Sequence, residues 1–189
     1  MAASLEHIKN SEIPIYSLNG VITKGKVVSI YDGDTCTIVL EIPTDKQPNP
    51  FLRFCNTWLP CCGIQSSNVM QKFKCRLNGL DTPEMKPSLK NSDRVSEIHA
   101  AHKSRNRLMQ MITNCTFDHT KELSKKECQD LVDQNTKIIT VECLEFDKYG
   151  RLLVKLFYGY NVTANDMLIS EGLAKPYDGG TKDITDYSN

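Results

Sequence analysis

The sequence predicts a single α+β domain, mainly β, and three observations carry that prediction. Two stretches rich in β-branched and aromatic residues fold back on themselves around turn signals, Asp32-Gly33 and Asp147-Lys148-Tyr149-Gly150. A third run, residues 73–77, alternates apolar and polar side chains as a half-buried strand does. Helical periodicity is confined to residues 92–113, a short acidic stretch near 118–135 and a segment after Thr163. A chain of 189 residues, 40% apolar and 24% charged, is long enough to bury one core.

Composition excludes several classes. No run of about 18 apolar residues is present, so no membrane span is expected. The start, Met-Ala-Ala-Ser-Leu-Glu-His-Ile-Lys-Asn, lacks the basic-then-apolar profile of a secretory signal. Eight cysteines at irregular spacing then read as reduced thiols of an intracellular, cytoplasmic protein rather than as a disulfide framework. Formal net charge is zero, but residues 72–107 hold nine Lys or Arg against four acids. Such a local basic field suits a polyanion held briefly; a solvated helix face accounts for the same charges.

In chain order, residues 1–20 read as a loose arm, 21–180 as the domain and 181–189 as a tail. The first hairpin spans 24–42, with β-branched runs on either side of Asp32-Gly33. Asp34 follows the turn, where a side chain can point into a cleft, although Asp-Gly-Asp also serves turns alone. Residues 43–71 read as an insert with four prolines and an apolar knot ending in Cys61-Cys62, folded over the domain. Cys55, Cys61, Cys62 and Cys75 have no C-x-x-C spacing, which argues against zinc. In the 73–77 strand, Phe73, Cys75 and Leu77 face the core while Lys74, Arg76 and Asn78 face away. Gly79 then eases a bend toward Asp81.

The helix of 92–113 opens at Ser92-Asp93 and carries Ile98, Ala101, Leu108, Met109 and Ile112 at helical spacing. His99 and His102 share one side and read as an exposed pair. The second insert, 118–135, adds a short helix with Leu123, Leu131 and Val132. Strands at 138–146 and 151–158 follow, Arg151 opening the second. Thr163-x-x-Asp166 caps a last helix that stops at Gly172. The end of the chain, from Pro176, reads as turn and frayed end, and Gly-Gly-Thr-Lys lacks the spacing of a phosphate-cradling loop.

Chemistry concentrates in Asp81-Thr82-Pro83-Glu84, with Arg76 five residues upstream. Pro83 fixes its own φ and pushes Thr82 into an extended conformation. The Asp81 carboxylate and the Thr82 carbonyl can then face one hard cation, which prefers oxygen ligands. Glu84, just past the corner, is free to act on a water. That is the layout of a metal-assisted hydrolase.

Asp32-Gly33-Asp34-Thr35, Arg76 with Asp81-Thr82-Pro83-Glu84, Asp147-Lys148-Tyr149-Gly150-Arg151 and a helix ending Glu171-Gly172-Leu173-Ala174-Lys175 occur in this order. In these motifs the chain resembles the staphylococcal nuclease (thermonuclease-like) family. The resemblance runs over about 24–177, interrupted by the two inserts. It implies an OB-type five-stranded barrel with two or three packed helices. It also implies a Ca²⁺-dependent endonuclease, a phosphodiesterase of the thermonuclease type, that leaves 3′-phosphate and 5′-hydroxyl ends on DNA or RNA. Carried over, Asp34 and Asp81 would bind Ca²⁺ through carboxylates and Thr82 through its carbonyl. Glu84 would activate water, Arg76 and Arg151 would grip the phosphate, and Lys148, Tyr149 and Tyr177 would line the nucleotide pocket. Lysine in place of either arginine should cost about 10²-fold in turnover, with the fold intact. The alternative is a nucleic-acid or protein-binding module on the same barrel; the complete acid–arginine set favours catalysis. Nucleic acid is the expected partner, and the chain is expected to act as a monomer.

Overall fold

The computed structural model describes residues 15–43, 68–89 and 91–179. Most of the expected N-terminal arm, the apolar knot with Cys55, Cys61 and Cys62, and the tail beyond 179 lie outside the described residues. β1 (Ile22–Ile30) and β2 (Thr35–Ile42) form the antiparallel hairpin expected around Asp32-Gly33. β3 (Val69–Leu77) lies against β2 with Arg76 opposite Thr35. This strand begins earlier than expected, so Val69, Met70 and Gln71 belong to it and not to the insert. Its alternation extends upstream, with Met70, Lys72 and Lys74 exposed. β4 (Leu80–Asp81) follows at once, and α1 (Arg94–Ile112) and α2 (Lys125–Asn135) come next. β5 (Ile138–Phe146) and β6 (Leu152–Gly159) make the second hairpin, and β7 (Val162–Thr163), α3 (Ala164–Ser170) and β8 (Lys175–Pro176) complete the order.

The strands hydrogen-bond in the order β3-β2-β1-β5-β6, and a parallel β3–β6 pairing closes the ring. The result is a five-stranded mixed barrel of OB type with three helices packed on it among the described residues. Closure leaves these five strands without a free edge to template pairing with another chain. Inward-facing Val27, Ile38, Leu40, Cys75, Leu77, Val141, Cys143, Val154 and Leu156 form the core, at period two along each strand. Cys36, Cys75, Cys115, Cys128 and Cys143 are free thiols. Burial pushes Cys75 up to about 12 and Cys143 up to about 11, the neighbouring thiol adding to the rise at Cys75 and Glu142 to that at Cys143. The core cysteines are therefore apolar filler, not nucleophiles.

Leu18, expected in the loose arm, is fully buried in the same core, and Gly20 N–H donates to the Cys143 carbonyl at 2.9 Å. Burying one leucine contributes about 2 kcal/mol, enough to hold a short segment down.

α1 starts later than the sequence suggests, with Asp93 at the N-cap and no side-chain cap hydrogen bond. Leu108, Met111 and Ile112 face the barrel, while Met109 joins Leu123, Cys128 and Val132 in a second apolar cluster. α2 is closed at its start by a reciprocal capping box between Ser124 and Glu127. Leu123, expected within that helix, lies just before it. Two polar residues of α1 hold the connecting loop: Arg105 donates to the Leu123 carbonyl (3.0 Å) and Asn106 to those of His119 (3.0 Å) and Lys121 (2.7 Å). Arg105 is thus buried and structural, not part of the basic surface. Arg107 is likewise committed, gripping Glu171 bidentately at 2.6 and 2.7 Å and so tying α1 to the end of α3. His99 is exposed beside Glu122 (2.7 Å), but His102 is half-buried against Arg105 (3.1 Å), so the pair is not equally exposed. Among the described residues no helix is long and apolar enough to cross a membrane.

Candidate active site

β3 ends in a bend that brings it back on itself. Gly79 takes φ +80°, a conformation L side chains rarely adopt, so the eased bend expected there is observed. Beyond it, Leu80 and Asp81 pair with Pro176 and Lys175. The segment read as a frayed end therefore starts with a short strand, β8. The two-residue ladder was too short for sequence periodicity to reveal, and Pro176 argues against a strand except at an edge.

The bend folds Asp81 onto Arg76. One Arg76 nitrogen lies 2.9 Å from Asp81 Oδ1 and donates to the Leu80 carbonyl at 3.2 Å. The other lies 2.8 Å from Asp34 Oδ2, on the turn of the first hairpin. One guanidinium fork thus joins two carboxylates far apart in sequence. Their side chains are only 5% and 15% exposed, and that of Arg76 only 12%. Arg76 does lie on the polar side of β3, but in a nearly dry pocket rather than in solvent.

The first turn is shaped for this. Asp32 Oδ1 accepts from the backbone N–H groups of Asp34 (3.1 Å) and Thr35 (2.7 Å), an Asx turn that aims Asp34 inward. Thr35 Oγ1 donates to Asp34 Oδ1 at 2.8 Å and accepts from Arg151 Nη1 at 3.5 Å. Asp34, Arg76, Asp81 and Arg151 are therefore members of one hydrogen-bonded chain through Thr35. Gly33 is required by close approach: a Cβ there would meet Thr82 Cγ2 at 2.8 Å and the Ser104 side chain of α1. Thr82 is thereby buried against the turn that carries Asp34. Ser104 Oγ is fully buried with no hydrogen-bond partner among the described residues.

Glu84 is exposed at the rim. Its backbone N–H donates to Glu97 Oε1 of α1 at 3.2 Å, which fixes the segment leaving the corner. Arg151 is aimed by Asp147, which accepts from its Nε at 2.7 Å and its backbone N–H at 2.8 Å. Nη2 of Arg151 has no partner among the described residues. The Tyr149 ring, 73% exposed, lies under both Arg151 (5.6 Å to the centroid) and Lys148 (5.2 Å). Tyr177 sits with its ring 5.8 Å from the Arg76 guanidinium carbon, and its N–H donates to the Gly79 carbonyl at 3.0 Å. The nine residues singled out in sequence thus fall into three groups. Asp34, Arg76, Asp81, Thr82 and Arg151 converge, Tyr177 and Tyr149 flank the two guanidiniums, and Glu84 and Lys148 stand exposed at the margin.

Charge in the pocket is unbalanced toward the acids. Burial, reinforced by Asp34, pushes Asp32 up to about 7. Burial also raises Asp34, more than Arg76 and the Thr35 hydroxyl lower it. At Asp147 burial is outweighed by the hydrogen bonds from Arg151 and Tyr149, which hold it below its ordinary value. Two carboxylates, Asp34 and Asp81, share one guanidinium, which leaves room for one more positive charge. Asp34 and Asp81 both offer oxygen, which suits a hard cation that keeps several waters. Among the described residues no group of three His, Cys, Asp or Glu is placed to hold a metal ion.

Sequence reasoning missed Asp32, Thr35, Asp147, Glu97 and Ser104, which position the others. The first three had a signal: each lies within the turn motifs quoted above. Nothing in the sequence marks Ser104 or Glu97, which reach the site only through the packing of α1.

The model of the staphylococcal nuclease homologue family matches residues 74–188, well over half of the chain. β1 and β2, and Asp34 with them, precede that match, and the barrel register is what sets Asp34 beside Arg76. No curated protein matches the sequence. A closed OB-type barrel and a family match from the middle of β3 onward together give one conclusion: the chain belongs to the family of staphylococcal nuclease homologues.

Proposed function

We propose that this protein is a Ca²⁺-dependent endonuclease that hydrolyses phosphodiester bonds of DNA or RNA, leaving 3′-phosphate and 5′-hydroxyl ends. The observation that carries the proposal is the single hydrogen-bonded chain Asp81–Arg76–Asp34–Thr35–Arg151. A phosphodiester repels hydroxide, and attack on it builds a crowded dianion. A site for this reaction needs several positive groups aimed at one point and a base beside them. Asp34, Asp81 and the Thr82 carbonyl would hold Ca²⁺, which would supply positive charge to the developing dianion.

The chain's own residues do the rest. Arg151, aimed by Asp147, offers its open Nη2 edge to the phosphate as a planar fork. Arg76, held between Asp34 and Asp81, adds a second positive charge beside the phosphate. Glu84, at the rim, accepts the proton of the attacking water as its oxygen bonds to phosphorus. The P–O5′ bond breaks, the departing oxygen takes up a proton from solvent water, and Glu84 returns the proton it accepted to solvent. Tyr149 and Tyr177 give base or sugar an apolar face, and Lys148 adds charge at the mouth.

Single-turnover cleavage by Glu84→Gln and Arg151→Lys tests these roles. Both should fold as the wild type and lose about 10²-fold or more in rate. Near-normal rates in either would refute the role assigned to it. No cleavage by the wild type with any divalent ion would favour a binding module on the same barrel.

A further inference from the structure

The outward face of β3 does not end at Arg76. Alternation puts Lys74 and Lys72 on the same side, about 7 and 14 Å further along the strand. Cross-strand register fixes what lies beside them. Arg76 stands opposite Thr35, a member of the active-site chain, Lys74 opposite Thr37, and Lys72 opposite Val39, with Lys26 of β1 next in that row. The first ladder row beyond the site is thus Lys74–Thr37–Ser29, and the second is Lys72–Val39–Lys26.

Ser29, Thr37, Lys72 and Lys74 of these rows floor a groove of about 620 Å³. Gln129 and Asp133 of α2 form its wall. The wall is anchored: Gln129 Nε2 donates to the Val28 carbonyl of β1 (2.9 Å) and to Asp133 Oδ1 (2.8 Å). Lys26, Lys72 and Lys74 are exposed, and none forms an ion pair among the described residues. Three other cations of the expected basic field are committed elsewhere: Arg76 to the site, Arg105 to the Leu123 carbonyl, Arg107 to Glu171. Lys72 and Lys74 of β3 have no such commitment among the described residues.

We propose that this groove is a second binding site for the polynucleotide, holding the backbone of a single strand that runs from the scissile phosphate along β3. The proposal rests on the nuclease reading above. The chemistry favours a phosphodiester backbone: ammonium groups at regular spacing along one strand, the Thr37 and Ser29 hydroxyls in the row beside Lys74, and no aromatic ring among the described lining residues. A positively charged groove tracks backbone, while stacking platforms hold bases. Here the platforms, Tyr149 and Tyr177, are at the site. A single strand can bend to follow one β-strand beneath a helix wall, whereas a duplex would meet α2.

The test is binding in chelator, which separates it from cleavage. Fluorescence anisotropy follows a labelled single strand of roughly 12 nucleotides, within the range one OB fold covers. The double variant Lys72→Gln/Lys74→Gln should bind this strand several-fold more weakly whatever its sequence. Its slope of log affinity against log salt should be about 1.4 shallower, because two phosphate contacts are lost. A dinucleotide, too short to leave the site, should bind wild type and variant alike. Asp133→Asn should tighten binding of the longer strand by removing a like charge from the wall. Lys103→Gln, an exposed lysine of α1, should change nothing. Equal affinity and slope for wild type and double variant overturn the proposal even if the protein cleaves DNA. Duplex binding with the same lysine dependence overturns the single-strand assignment. A protein that cleaves nothing but shows the lysine effect sinks the nuclease reading and leaves the groove standing.

Discussion

Arg76→Lys separates a network from a set of neighbours. The Arg76 fork reaches Asp34 at 2.8 Å, Asp81 at 2.9 Å and the Leu80 carbonyl at 3.2 Å. A lysine ammonium is a single point on a flexible stem and cannot span the two carboxylates at hydrogen-bond distance. The variant therefore keeps one charged contact and forfeits the other with the carbonyl bond. A hydrogen bond to a charged group contributes about 1.5–3 kcal/mol, and a neutral one about 1 kcal/mol. The acids have little access to water that could replace the loss, so about 2–4 kcal/mol of stability should go. For a chain of this size that is roughly 4–16 °C in Tm. The expectation from sequence, that lysine here leaves the fold intact, needs amending: the structure makes Arg76 a brace as well as a candidate catalytic group. Thermal unfolding by circular dichroism measures the first effect. Single-turnover cleavage well below the variant's Tm measures the second, where the loss should be about 10²-fold or more. An unfolding midpoint within a degree or two of wild type would refute the argument that one fork holds both acids.

Other predictions follow from the same geometry. Asp32 is raised from 3.8 to about 7, so between those values the folded chain holds a proton that the unfolded chain has released. Stability from this residue is therefore full below pH 4 and lost as pH rises through 7. Asp32→Asn keeps an oxygen to accept from Asp34 and Thr35 and removes the titration. Its stability relative to wild type should rise across that window, by up to about 4 kcal/mol, and a difference independent of pH would contradict the assignment. Asp147→Ala should release the Arg151 side chain, lowering turnover about tenfold or more, and should lower Tm as well because the carboxylate also accepts from the Tyr149 and Arg151 backbone N–H groups; unchanged turnover would show that Arg151 needs no brace. Gly33→Ala should cost about 1–3 kcal/mol by forcing Thr82 and Ser104 apart, read in the same unfolding assay.

Much of the barrel was legible because β1, β2, β5 and β6 advertise themselves twice, by alternation and by a turn. What was not legible has physical reasons. β8 is two residues long and contains proline, so only its partner Leu80–Asp81 makes it a strand. Leu18 is one apolar residue in an unpatterned stretch, and burial of a single side chain leaves no periodic trace. Val69, Met70 and Gln71 of β3 were assigned to a proline-rich insert, although Met70 continues the outward alternation of Lys72, Lys74 and Arg76. At the site, the residues that touch ligands in such chemistry were marked by motif spacing. Those that orient them were not, because Asp32, Thr35 and Asp147 look like ordinary turn residues until distant strands meet. Arg105 and Arg107 show the reverse error: charge counted along the sequence cannot tell a surface cation from one spent on a carbonyl or a glutamate.

The most direct measurement is cleavage itself. Purified protein is incubated with single-stranded DNA, duplex DNA and RNA, in Ca²⁺ and in chelator, and the product ends are identified. Cleavage that requires Ca²⁺ and leaves 3′-phosphates is the predicted result. Equal degradation with and without chelator would contradict it.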